Sequence, residues 1–148
     1  MNDAAIVRLL VFRVGGLVCA AEAVTVRAIL PRLEPTRIPG APRVIAGLVN
    51  VRGSLVTVVE GWHALGQPTP DDRGQGSTIL LELGAGRRVV GFTVDEVIDL
   101  LAVAGATLEQ GRALPGIDPT LVRAVGRRAG QLFVVLDTDA LLAPIFAS

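Results

Sequence analysis

Few side chains in this sequence are of types that do chemistry, and their spacing limits what each could do. Asp137-Thr138-Asp139 and Asp95-Glu96 are the close acidic pairs beside apolar runs. Paired carboxylates could share a proton or hold a divalent cation. Neither pair is accompanied by a second set of ligands or a nucleophile, and helix capping and turn chemistry account for both more simply. Gly84-Ala85-Gly86 with Gly91 resembles a fragment of a dinucleotide loop. It lies between two strand-like runs, however, and phosphate cradling needs a helix N-terminus after the glycines. A single Cys19 excludes an internal disulfide and a cysteine-rich zinc site, and a single His63 excludes a histidine pair. Cys19 sits in an apolar run without a basic neighbour and reads as an inert small hydrophobe. On a short helical stretch, Trp62 is expected to pack over a barrel mouth and His63 to be a solvated or capping residue. The residues therefore point to no catalytic group, no metal and no cofactor.

Arg52 is the side chain to single out. Asn50-Val51-Arg52-Gly53 ends an apolar strand at a glycine turn, and a guanidinium there must find an acid, a carbonyl or water. One reading is a turn arginine. The other is a planar, multi-donor contact at an interface, where arginine is enriched. Arg87-Arg88 and Arg127-Arg128 adjoin turns and are expected to face solvent, where together they could form a modest anion-attracting patch.

These residues must be positioned by short, apolar elements. Val, Leu, Ile and Phe supply 53 of the 148 residues, far above the composition of disordered chains. Seventeen Gly and nine Pro mark frequent turns, which favours strands over long helices. The 14 basic residues, all arginine, balance 14 acidic ones. That neutral, scattered charge lacks the footprint of nucleic-acid binding, and one Trp, four Phe and no Tyr make a poor base-stacking platform. No apolar run reaches the roughly 18 residues of a membrane span, so no membrane insertion is expected, and the chain reads as cytoplasmic.

Along the chain, Ile6–Val14 and Leu17–Ala21 form a hairpin around Gly15-Gly16. Glu22–Leu30 reads as a helical turn leading into a proline-rich connector. Val44–Val51 and Leu55–Val59 give a second hairpin, followed by a short helix over Glu60–Leu65. Gln67–Gly76 has no apolar residue and is the clear loop. The order then repeats: Ser77–Leu83 and Arg87–Asp95 flank a glycine turn, Val97–Val103 follows, then Leu121–Arg127, Leu132–Leu136 and a helix from Asp137. Gly53–Glu60 aligns with Gly130–Asp137, each a turn glycine, an apolar strand and an acidic residue placed to cap a helix. The fold expected from this is all-β, with two similar small barrels. Their approximate regions are 1–66 and 77–148, joined by a loop over 67–76, with strands open to exchange between them.

Four blocks carry a resemblance that spans nearly the whole chain. They are Leu10-Val11-Phe12; Ile38-Pro39-Gly40-Ala41-Pro42 with Gly47-Leu48-Val49-Asn50-Val51-Arg52-Gly53 and Val56-Thr57-Val58-Val59-Glu60; Val90-Gly91-Phe92-Thr93-Val94-Asp95-Glu96-Val97; and Leu132-Phe133-Val134-Val135-Leu136-Asp137 with Leu141-Leu142. In these the sequence resembles the CheW-like family of bacterial chemotaxis coupling proteins. The resemblance implies a single domain over 1–148, built of two SH3-like five-stranded barrels with a few short helices. It also implies a non-enzymatic adaptor without a cofactor. Its partners would be the cytoplasmic helical tip of a chemoreceptor and the regulatory domain of the histidine kinase CheA, in arrays at the membrane. By position, Val26, Ile29, Arg52, Gly53, Leu55, Gly91 and Val94 would serve partner binding. Ala28 stands where the family usually has the glutamate expected to pair with the arginine matching Arg52. Glu60-Gly61-Trp62 stands where it tends to have Asp-Leu-Arg. Other readings are a scaffold of a pilus or non-motility chemosensory pathway, a kinase-only binder, and a small-molecule-binding barrel with an enclosed polar pocket.

Overall fold

In a computed structural model, which describes residues 5–72, 75–111 and 114–146, the apolar runs become ten strands. They are β1 (Ile6–Val14), β2 (Leu17–Glu22), β3 (Val26–Pro31), β4 (Ile45–Val51), β5 (Ser54–Val59), β6 (Ser77–Leu83), β7 (Arg88–Val94), β8 (Glu96–Ala104), β9 (Val122–Arg128) and β10 (Gln131–Leu136). Helix α1 (Gly61–Ala64) follows β5, and α2 (Thr138–Phe146) follows β10. The expected helical turn after Glu22 is one 3-10 turn, Ala23–Thr25. The expected connector beyond it is instead a strand, β3, because its alternating half-buried positions pair with β6 before the prolines take over.

The strands form two five-stranded sheets, ordered β8-β1-β2-β10-β9 and β3-β6-β7-β5-β4. Each is drawn into a barrel by a single reciprocal bridge between its outermost strand and the segment leaving the opposite edge. Thr36 exchanges both backbone bonds with Leu48 on β4, and Glu109 does so with Val125 on β9, all at 2.8 Å. Closure of this kind leaves little edge open for pairing with other chains. The regions 1–66 and 77–148 do not each make a barrel. β3 to β7, contiguous in sequence, build what we call the middle barrel, whereas β1 and β2 from one end and β8 to β10 from the other build the end barrel. The sequence repeat is nevertheless present. β1–β5 and β6–β10 have the same order, and each unit lends its last three strands to the other unit's hairpin.

This exchange explains why β1, β6, β7 and β10 are apolar on both faces. One face of β1 (Leu9, Val11) points into the end barrel with Ala20, Phe133 and Val135; the other (Leu10, Phe12, Val14) joins the layer between the barrels. That shared layer is the largest apolar cluster, and Phe12 of one sheet meets Phe92 of the other edge-to-face at 6.2 Å. The middle barrel has its own smaller interior of Val49, Val56, Val58 and Leu80. The hairpin tips are fixed locally. Arg52-Gly53 and Ala129-Gly130 are two-residue turns with φ of 50° and 86°, and 48° and 80°. Both central positions need positive φ for the turn's twist to match that of the strands. The 67–76 loop includes residues 73 and 74, which lie outside the described residues. At its start, Gln67 ties back to the first hairpin, its Oε1 accepting from the Gly16 N–H at 2.9 Å.

Candidate functional site: an apolar groove between the barrels

Where the chain crosses from β2 to β3 and from β7 to β8, the two sheets part and leave a groove of about 390 Å³. Its walls are β3 (Val26, Ile29) and β8 (Val97, Ile98, Asp99, Leu100), with Leu10 of β1 as the floor and Ala23 at one margin. Ile29 is 48% exposed and Leu100 61%, with Val24 beside Ala23 also exposed. Large aliphatic side chains left open to water on facing strands suit an apolar partner surface rather than a polar small molecule.

The crossings themselves are pinned. At β7–β8, Asp95 accepts from the Gly15 N–H at 2.7 Å and pairs with Arg13 at 3.2 Å, while its own N–H donates to the Arg13 carbonyl. This occupies the Asp95-Glu96 acid in turn chemistry. The other acidic pair is engaged too: Asp137 Oδ1 caps α2 at the Ala140 N–H, 3.0 Å away, and Asp139 accepts from the Gly84 N–H at 3.1 Å. Among the described residues, no three of His, Cys, Asp and Glu gather to hold a metal ion. Cys19 is fully buried, and desolvation pushes its thiol up to about 12, which keeps it protonated and unreactive.

Asp99 is the charged residue among those lining the groove. Its Oδ2 accepts from Arg128 Nε at 2.9 Å and its Oδ1 from the Leu100 N–H at 2.8 Å. The Arg128 hydrogen bond, followed by that of the Leu100 amide, holds its carboxyl below the usual aspartate range. The pair also ties β8 to β9 across the end barrel's opening. Arg128 is thus engaged at a strand edge rather than left in a solvent patch, and Arg88 lies over the Phe146 ring at 4.6 Å.

The residues singled out from sequence separate into three places. Val26 and Ile29 line the groove. Arg52, Gly53 and Leu55 form the exposed β4–β5 tip, where Leu55 is 71% exposed and the Asn50 side chain accepts from the Gly53 N–H at 2.8 Å. They are not among the groove-lining residues. The Arg52 guanidinium has no hydrogen bond or ion pair among the described residues, and Ala28 on β3 packs towards the middle barrel's interior. Gly91 and Val94 correct the expectation, because both are buried in β7 and offer no surface to a partner. A Cβ at Gly91 would come within 3.1 Å of both Thr78 and Val58, so that glycine serves packing. The β8 wall was missed, as was Ala23. Leu10 and Val97 belong to blocks that carry the resemblance, which assigns neither of them to the groove. The one sequence signal for the wall was Val97–Val103 as an apolar strand, and nothing local tells which strand it faces.

Glu60 was expected to cap α1 and does not. It is buried at 6% exposure, pairs with Arg32 at 3.3 Å and accepts from the Trp62 indole N–H, so Arg32, Glu60 and Trp62 form one network beneath α1. Trp62 is accordingly half-buried, and His63 is exposed beside it.

Among the described residues no helix is long and apolar enough to cross a membrane. The family model of the CheW-like domain matches residues 8–145. The chemotaxis protein CheW of Klebsiella aerogenes is 29% identical over 140 residues, covering 90% of this chain and 80% of that protein. The CheW of Bacillus subtilis is 26% identical over 137 residues, covering 91% and 86%. The crystal structure of the scaffolding protein TtCheW from Thermoanaerobacter tengcongensis superposes with a TM-score of 0.83 at 18% identity, covering 93% of this chain and 88% of that one. With its duplicated barrels and this match over nearly its full length, the chain belongs to the CheW-like domain family, the scaffolding adaptors of chemotaxis.

Proposed function

We propose that this protein couples chemoreceptors to the histidine kinase CheA, without chemistry of its own, at receptor arrays on the cytoplasmic side of the membrane. The groove between β3 and β8 receives a helix of the receptor's cytoplasmic tip, with Val26, Ile29, Val97 and Leu100 as its apolar contacts. Arg52 and Leu55 on the β4–β5 tip supply a second contact, and the CheA regulatory domain meets a barrel end. Signalling through such an adaptor is a shift in packing, which requires contacts that differ between two states. The observation that carries this reading is the exposure of Ile29 and Leu100 on facing walls of one apolar groove.

Calorimetric titration with a receptor cytoplasmic hairpin and, separately, with a CheA regulatory domain tests it. Both should bind. Ile29→Asp should abolish receptor binding while sparing the kinase domain, and Arg52→Ala should weaken partner binding with nearly unchanged thermal stability. Receptor binding that survives Ile29→Asp together with Leu100→Asp would remove the groove from the interface.

A further inference from the structure

The two walls of the groove are equivalent strands of the repeat, and their residues can be matched one to one. β3 carries a bulge between Val26 and Ala28, opposite Leu81 and Leu80 of β6. β8 carries one between Val97 and Asp99, opposite Phe12 and Val11 of β1. Aligned on the bulges, Val26 matches Val97 and Ile29 matches Leu100, so the apolar contacts on the two walls are nearly alike. A helix seated on such walls gains similar contact whichever way it runs, since apolar burial is non-directional. The match fails in charge at two positions: Arg27, which pairs with Glu82 of β6 and does not line the groove, corresponds to Ile98, and Ala28 corresponds to Asp99. Asp99 lines the groove whereas Ala28 does not, and the carboxylate is held in place by Arg128 and the Leu100 amide.

Building on the helix-groove reading above, we infer that the groove selects an amphipathic helix bearing a basic residue beside its apolar stripe, and that Asp99 sets the direction in which that helix lies. A carboxylate at the rim of an otherwise apolar site contributes selectivity more than raw affinity, because a wrongly placed acid on the partner meets repulsion and a rightly placed base meets attraction. Arg128 does not cancel this. The pair is more than a third exposed on both sides, and the carboxylate can be shared between two guanidinium or ammonium groups at the edge of the groove.

Stapled amphipathic helices with one common leucine stripe are the probes. One carries arginine flanking the stripe near its N-terminal end, one near its C-terminal end, and one has glutamate at those positions; each bears a nitroxide at its N-terminus. Both arginine helices should bind about tenfold more tightly than the glutamate helix, and Asp99→Asn should bring all three within about twofold. Paramagnetic broadening of backbone amides should move from one end of β8 to the other when the arginine is moved along the helix. Equal affinities for wild type, or broadening that stays in place, would overturn the role of Asp99 while leaving the groove as a helix site. Failure of every helix to bind would overturn the helix-groove reading itself, and this inference with it.

Discussion

The end barrel and the middle barrel solve the same packing problem with different residues at matching positions. In the end barrel, Phe133 on β10 faces Gly126 on β9, and the ring fills the space that a side chain on Gly126 would take: a Cβ there would lie 2.3 Å from the ring. In the middle barrel the corresponding pair is Val56 facing Val49. One large residue against none, or two of medium size, fills a similar volume, and interiors tolerate exchanges that conserve it. The polar fittings diverge further. After the matching strands, Asp137 caps its helix, whereas Glu60, one methylene longer, turns under α1 to a buried pair with Arg32. Across the barrel openings, the end barrel has Asp99 paired with Arg128, and the middle barrel has Ala28 and Val51 at the matching positions, which can form no ion pair. The end barrel is cross-tied where the middle barrel is not, and the middle barrel carries Arg52 in the turn position that Ala129 holds in the end barrel. The two duplicated frames thus keep similar apolar volumes and diverge in their charges.

The comparison can be broken first in the interiors. Gly126→Val should cost about 3 kcal/mol or more, because the new side chain and the Phe133 ring occupy the same space. The double variant Gly126→Val with Phe133→Val reproduces the middle barrel's pair and should recover most of that loss; both are read from urea unfolding. If the double variant is no more stable than the single one, the two interiors are not interchangeable. Next come the acids after the strands. Glu60→Gln leaves Arg32 without its charge partner in a largely buried site and should cost about 3 kcal/mol. Asp137→Ala removes one helix cap and should cost about 1 kcal/mol. Similar losses for the two would place both acids in the same role.

Smaller effects sharpen the contrast. Arg52→Gly and Ala129→Gly relieve a left-handed residue in equivalent turns, and each should raise stability by at most about 1 kcal/mol. Only the first should weaken partner binding. A carbon-detected NMR titration should find the Asp99 carboxyl titrating below an ordinary aspartate, and Arg128→Ala should move it back up. The sign is that of a depressed acid. The contribution of this pair is present above the ordinary carboxylate pKa and is lost as pH falls through the folded-state value.

Most of the local structure was legible in the residues. Glycine turns at Gly15-Gly16, Arg52-Gly53 and Ala129-Gly130 give the hairpins, and the match of 53–60 to 130–137 picks out strands that are equivalent in the fold. What was not legible is pairing at long range. A run such as Leu9–Val14, buried on both faces, looks the same whichever sheet receives it, so the division of strands between the barrels could not be read from periodicity. β3 was hidden for a different reason, because prolines crowd its C-terminal side. The same limits shaped the site. Val26 and Ile29 follow from the resemblance to the CheW-like family, but their facing wall follows only once β8 is known to cross over. Gly91 and Val94 come from the same resemblance, and their burial is not legible because an apolar strand residue does not announce which side of the strand is open.

The interleaved strand order also sets a schedule for synthesis. The middle barrel's strands run unbroken from Val26 to Val94, so it can close while the rest of the chain is still being made. The hairpin of β1 and β2 leaves the ribosome before the other strands yet must wait, with apolar faces on both sides, until β8 to β10 arrive. The earliest of the ten strands are thus the last to be covered, and during that interval the nascent chain depends on whatever shields Leu9 to Val14 from other chains.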